Sequence, residues 1–353
     1  MKTSADGAAL DGAPAVGVIG GGAFGRGLAL AARRNSHRVR LYSRHPDGQA
    51  LSPLTAPPAK RERATSKANE DPRATRRRPA GPPIEITSEL GAVAEASLLF
   101  VAVPSRYFPD LARALEPYLD GRHLIVHVSR GLVGPELLTL TDVLREHTAA
   151  RRLGALAGPL SATALAQGRP GGGVIGTLFP GVAAAVREAL AGPSMRIYET
   201  DDLVGVQISS ALVGVMTVVS AMLRERGLGP TAVALFCSRA LAETTRITES
   251  RGGRAETTTG LAGAGDLFSA IGGDGRPEIA LGEALGRGAP VDEAAAAAGA
   301  HVEGLELATL AAEYAASKGL STPVATAIAD MLAERTTLDE TLTRLMAYPV
   351  GTE

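Results

Sequence analysis

An α/β fold, with an N-terminal doubly wound sheet followed by an all-helical C-terminal domain, is predicted by three observations. An apolar run, Val16-Gly-Val-Ile19, leads straight into a Gly-x-Gly-x-x-Gly turn at Gly20, Gly22 and Gly25. Short apolar runs then alternate with helical patterns as far as residue 198. From about Asp201, Ala/Leu-rich helical patterns dominate to the C-terminus, broken by glycine loops at 252–265 and 272–275.

The turn is specific because of its context. Gly20 lets the chain turn sharply after the strand, Gly22 lets backbone approach a pyrophosphate, and Gly25 lets the next helix pack closely on the sheet. That helix runs from about Phe24 to Arg34, and its free N–H groups and partial positive charge suit phosphates. A second strand is expected over His37–Ser43. A Rossmann-type dinucleotide site follows from this order. Further strands are expected at Ile84-Glu-Ile, Ser97–Pro104, Leu124–Ser129, 151–157 and 173–178, with a helix over about 108–118. Leu98–Pro104 is continuously apolar, as a parallel strand covered on both faces requires.

Composition narrows the function further. The 353 residues are 45% hydrophobic but only 3% aromatic, and net charge is −1. No field draws nucleic acid or a membrane surface, and no stacking platform exists for single strands. The one cysteine, Cys237, lies in an apolar helical stretch and reads as a buried structural thiol in a reducing, cytoplasmic compartment. No apolar run is expected to span a membrane, residues 1–14 read as a disordered tail, and no metal is expected. The dinucleotide domain is expected over 15–198 and a helical substrate domain over 199–353. Within the first, residues 46–83 hold few large apolar residues; eight basic and three acidic side chains fall within 60–78. This stretch reads as a solvated, mobile insertion.

Seven segments, in order, carry a resemblance: Gly20–Gly25, Val101-Ala-Val-Pro-Ser105, Ser129-Arg-Gly-Leu132, Gly158-Pro159, Asp202-Leu-Val-Gly-Val206, Gly260–Leu267 and His301-Val-Glu-Gly304. Together they resemble the bacterial-type NAD(P)-dependent glycerol-3-phosphate dehydrogenases over nearly the whole chain. The resemblance implies hydride transfer between a nicotinamide and C2 of dihydroxyacetone phosphate or sn-glycerol 3-phosphate, in a cleft between two domains of a homodimer. It assigns cofactor contacts to Gly20, Gly22, Ala23, Phe24, Gly25, Arg44, His45, Pro104, Arg130, Ala162, Arg276 and Glu303. Substrate contacts fall to Arg130, Gly158, Asp266 and Arg276. The second strand ends Tyr42-Ser43-Arg44-His45 with no acid, and Arg44 favours NADPH over NADH.

The chain also departs from the family pattern. Val213 and Gly214 stand where the family has its catalytic lysine and an asparagine, and Arg130 stands at a second lysine. Ala270, Leu160 and Ala164 replace a threonine, a serine and a glutamate, and Gly275-Arg276-Pro277 replaces Ser-Arg-Asn. The four lysines, Lys2, Lys60, Lys67 and Lys318, offer no substitute. Asp266 is the remaining candidate acid, with His301 beside Glu303 as another. Two functions therefore stand open: an NAD(P)H-dependent reductase of a small ketone, or a catalytically degenerate dinucleotide-binding protein acting as a sensor or partner subunit.

Overall fold

The computed structural model describes residues 16–48, 51, 54, 81–272, 276–299 and 302–347. The expected tail at 1–14, most of the 46–83 insertion, Gly275 and His301 lie outside the described residues.

The described residues form ten strands: β1 (Val16–Ile19), β2 (Val39–Tyr42), β3 (Glu85–Thr87), β4 (Leu98–Val101), β5 (Leu124–His127), β6 (Leu132–Val133), β7 (Leu138–Thr139), β8 (Arg152–Ala157), β9 (Gly171–Gly176) and β10 (Met195–Thr200). Eight of them make one sheet in the order β10-β9-β8-β5-β4-β1-β2-β3. From β3 to β8 every pairing is parallel, with Val16 of β1 opposite Val39 of β2 and Leu98 of β4. Their crossovers put helices on both faces. Val18, Phe100 and Val126 face Leu28, Val182 and Val186, while Ile19, Leu99 and Ile125 face Phe108, Leu115 and Leu144. Both sides of these strands are thus dry, which is why they read as unbroken apolar runs.

Several expectations need correction. The sheet is not wholly parallel, because β9 pairs antiparallel with β8 through the short helix Ala162–Gln167, and β10 follows β9. The strand β10 and the β6–β7 hairpin had no counterpart in the sequence reading; β10 is largely exposed and its pattern weak. The helix expected over 108–118 stops at Leu115 and tightens into a 3₁₀ turn containing Pro117, which has no N–H to continue the ladder. Two residues of the stretch expected to be solvated are not exposed. Leu51 and Leu54 are 3% and 4% exposed, packed in the first core, and Leu54 O accepts from Ile84 N and Arg33 Nη1. The glycine-rich stretch at 252–265 is helical for much of its length: Ala255–Thr259 is a helix and Leu261–Gly265 a π-helical turn.

After Thr200, the described regular structure is helical. Its axis is the helix Leu203–Glu225, which is long and apolar enough by length and composition to cross a membrane, contrary to expectation. That same stretch is 94% buried inside the protein, so here it is the central core helix. The helices Pro230–Ser250, Pro277–Gly286 and Glu303–Ser317 pack on it, and Pro323–Leu332 packs on the first and last of these.

One buried carboxylate ties two of these helices together. Glu243 is 3% exposed, and its two oxygens accept Val324 N and Ala325 N, each at 2.8 Å. It thereby supplies the cap that Thr322, which makes no side-chain cap bond, leaves unmade. Burial pushes the Glu243 carboxyl up, and the two N–H donors oppose that shift. Glu243→Ala is expected to orphan both donors and to lower unfolding free energy by about 2–4 kcal/mol, read as a lower denaturant midpoint.

Candidate active site

Every strand from β1 to β8 in the parallel part of the sheet delivers its C-terminal end to one edge, where open α/β sheets bind ligands. At β1 the chain turns through Gly20, whose φ is +125° and whose N donates to Tyr42 O at 3.1 Å. A Cβ there would collide with Ala102 O, and one at Gly25 would collide with Gly20 O. Gly22 is different: it caps the helix Ala23–Arg34, and a Cβ on it would meet nothing within 4 Å. Gly22 and Ala23 are exposed, the first helical turn holds no acid, and Phe24 packs partly into the first core. The cradle is open on the side from which a phosphate would come.

At the end of β2, Arg44 and His45 are exposed, and His45 N donates to Ser43 Oγ at 3.2 Å. The Arg44 guanidinium lies 5.5 Å from the centre of the Tyr107 ring. Arg106 lies 4.8 Å from the same ring, with Nη2 donating to Tyr107 Oη at 2.9 Å. Sequence reading missed Arg106 and Tyr107. Their only signal is their place just after Pro104, and it takes the β4-β1-β2 neighbourhood to bring them beside Arg44. Ala162 begins a helix that packs on the first one, its carbonyl 2.9 Å from a Cβ placed on Gly27.

A charged cluster lies at the end of β5. Asp266 is fully buried and opens the helix Asp266–Ile271. Its Oδ1 accepts Arg276 Nη2 at 2.7 Å and Arg130 Nη2 at 3.2 Å, while Oδ2 is buried with no hydrogen-bond partner. Two guanidiniums on one carboxylate leave a net positive charge, suited to an anionic ligand group. Gly158 (φ +109°) sits against Leu261 O, on the turn that leads to Asp266. Around them the eroded positions are apolar: Leu160 and Ala270 are buried hydrophobics.

Val213 is also fully buried, inside the central helix. Beside it, Gly214 lets the helix Glu303–Ser317 cross closely: a Cβ on Gly304 would lie 3.2 Å from the Gly214 carbonyl. A Cβ on Gly214 would lie 3.7 Å from Glu278 Oε1. Glu303 Oε1 accepts Ser105 N at 2.5 Å, next to Pro104, and Oε2 is buried without a hydrogen-bond partner. A Cβ on Gly131 would lie 2.7 Å from that Oε2. The structure thus brings Arg130, Asp266 and Arg276 together and sets Glu303 against the ends of β4 and β5. His45 and Ala162 share no described contact with that charged cluster.

Comparison with known proteins agrees with this geometry. Residues 15–178 match the model for the NAD-dependent glycerol-3-phosphate dehydrogenase N-terminus, and 202–343 match the C-terminus. The chain belongs to the NAD-dependent glycerol-3-phosphate dehydrogenase family. A relative from Thioalkalivibrio sulfidiphilus, glycerol-3-phosphate dehydrogenase [NAD(P)+], is 34% identical over 88% of this chain and 90% of its own. One of the same name from a Bradyrhizobium species is 31% identical over 96% and 98%. The crystal structure of the Coxiella burnetii glycerol-3-phosphate dehydrogenase shares the fold, with a TM-score of 0.81 and 23% identity over 95% of this chain and 99% of that one.

The family motif that starts the central helix has a structural duty here. Asp202 Oδ1 accepts Gly205 N at 2.9 Å, capping the helix, and Asp202 Oδ2 accepts Arg254 N at 2.9 Å and Thr257 Oγ1 at 2.5 Å. One turn on, Gln207 Oε1 accepts His127 Nε2 at 2.8 Å and Thr141 N at 3.1 Å, and Gln207 Nε2 donates to Thr141 Oγ1 and Leu203 O. This buried network fastens the helix to β5, and burial pushes His127 down to about 4. The unfolded chain binds a proton near 6.5 that the folded chain refuses until about 4. This contribution to stability is therefore full at neutral pH and is lost as pH falls through that window. The loss is on the order of 2–4 kcal/mol. Denaturant midpoints measured between pH 6.5 and 4.5 should fall less steeply for His127→Gln than for the wild type.

Proposed function

We propose that the chain is an NAD(P)H-dependent reductase that converts dihydroxyacetone phosphate to sn-glycerol 3-phosphate. The observation that carries this reading is the Asp266 carboxylate held by Arg130 and Arg276 at the sheet edge that also bears the open Gly20–Gly25 turn. The family match and relatives named glycerol-3-phosphate dehydrogenase [NAD(P)+] support it. The substrate is a small molecule. The finer expectations of a homodimer and a cytoplasmic location rest on the resemblance.

The residues present fit a dinucleotide. The space over Gly22 and the acid-free helix start suit a pyrophosphate, and Arg44 with Arg106 suits a ribose 2′-phosphate. The bound dinucleotide supplies hydride to the substrate carbonyl carbon. Arg130 and Arg276 attract the substrate's phosphate and favour charge growing on its oxygen, and Asp266 holds both guanidiniums in place. Val213 contributes neither proton nor charge; a positioned general acid is typically worth about 10²–10⁴-fold in rate.

NADPH absorbance is expected to fall when dihydroxyacetone phosphate is added to the purified protein. Fluorescence-detected NADPH binding with no oxidation above background would replace this reading with the dinucleotide-binding one. Replacing Arg44 and Arg106 together by Ala is expected to weaken NADPH binding about tenfold or more and to leave NADH affinity nearly unchanged, measured by fluorescence titration.

A further inference from the structure

We infer that the outer edge of β10 is a pairing surface for a second copy of this chain, joining two eight-stranded sheets into one across a two-fold axis at Tyr198. The inference rests on the homodimer expected above, not on the reaction, and gives that dimer an interface.

Two strands bound the sheet, β3 and β10. Sheet edges in natural proteins are usually blunted by shortness, charge, proline or a bulge. The strand β3 is three residues long, and Glu85 in it pairs with Arg40. The strand β10 runs six residues, Met195-Arg-Ile-Tyr-Glu-Thr200, with no proline, glycine or lysine. Its register with β9 is unbroken from Met195 to Thr200.

Hydrogen bonding sets which of these residues look outward. Gly171 N donates to Ser194 O at 2.9 Å, and Thr177 N donates to Thr200 O at 3.0 Å. Alternate residues of a parallel strand bond the same neighbour, so Arg196, Tyr198 and Thr200 turn their backbone groups to β9. Met195, Ile197 and Glu199 turn theirs away. Met195 is already closed, because its N and O both bond Gly192, at 3.2 and 3.0 Å. The N–H and C=O groups of Ile197 and Glu199 remain, with no partner among the described residues.

This pattern is self-complementary. Ile197 and Glu199 flank Tyr198, so an antiparallel copy turned about Tyr198 sets Ile197 opposite the partner's Glu199 and Glu199 opposite the partner's Ile197. Each such pair exchanges two bonds, and together they use every outward group that is free. Centring the pair on Ile197 instead would call on Met195, whose groups are taken. The side chains fit the same register. Glu199 is paired with Arg187 on the helix Pro180–Leu190 and brings no bare charge to the seam. On the other face, Tyr198 is 59% exposed, and Leu178, just past Thr177, is 62% exposed. The two copies of Tyr198 meet on the axis, and the exposed Arg196 reaches diagonally to the partner's Tyr198.

Sedimentation of the full chain should give twice the chain mass. Tyr198→Glu sets like charges against each other on the axis. It should raise the dimer dissociation constant about tenfold or more, with an unchanged circular dichroism spectrum. Tyr198→Cys puts two thiols at a non-hydrogen-bonded antiparallel pair, with Cα atoms about 4.5 Å apart and within disulfide reach. Mild oxidation should therefore join that variant into a covalent dimer; the native Cys237 is buried. Arg196→Cys, whose two thiols lie four residues out of register, should stay unlinked. A dimer that Tyr198→Glu leaves intact and that Tyr198→Cys does not cross-link overturns the inference and leaves the homodimer standing on another face. A wild-type chain that sediments as a monomer overturns both, and the reductase reading is untouched by either result.

Discussion

Between Leu203 and Glu225 the chain runs a helix through the interior, and a helix buried on nearly every side must satisfy each polar group it carries. Here that requirement sets its position. Asp202 caps it and ties it to the 254–257 turn, and Gln207 binds it to His127 and Thr141. Farther along, Ser209 bonds Thr258 at 2.8 Å, while Thr217 and Ser220 return their hydroxyls to Val213 O and Met216 O. The bonds that leave the helix, to His127, Thr141, Thr258 and the 254–257 turn, hold its rotation and height. Positions 213 and 214 are therefore held inside the buried central helix, and neither Val213 nor Gly214 carries a polar side chain.

Two charged residues of the candidate site, Asp266 and Glu303, begin helices packed on that axis. Asp266 has no solvent to share its charge, and the two arginines that bond it come from different elements, the β5 end and the residue before the helix Pro277–Gly286. A buried carboxylate paired to two guanidiniums resists separation, because removing one partner leaves an uncompensated charge. The cluster thus acts as a clasp between the sheet edge and the helical half while leaving positive charge for an anion. Glu303 makes a second join between the helical half and the sheet edge, through Ser105 N. Glycines at 131, 214 and 304 allow these close approaches, and at Gly131 any side chain would displace Ser105 or Glu303.

Much of this was legible in the chain. Local chemistry speaks for itself where one short segment contains both the cause and the effect: the Gly20–Gly25 turn, the apolar parallel strands and the missing acid after Tyr42. Asp266, Arg276 and Arg130 could be named because each sits in a recognisable motif. Weakly patterned strands such as β10 escaped because their side chains are mostly exposed, so no periodicity marks them. Leu51 and Leu54 escaped because two leucines in a polar stretch form no pattern, yet each finds a place in the first core.

The sequence by itself determined the family and the dinucleotide turn, because each is carried by short segments whose residues are adjacent along the chain. The tertiary structure decided everything that depends on distance between segments. Only the strand order puts Arg106 and Tyr107 beside Arg44, only the fold seals the long apolar helix inside protein, and only the Gly214–Gly304 crossing sets the helix that Glu303 starts against the central helix. The physical reason is that burial and electrostatic partnership are set by neighbours in space. Residues 105, 131, 214 and 303 are far apart along the chain, and the packed helix and sheet make them one environment.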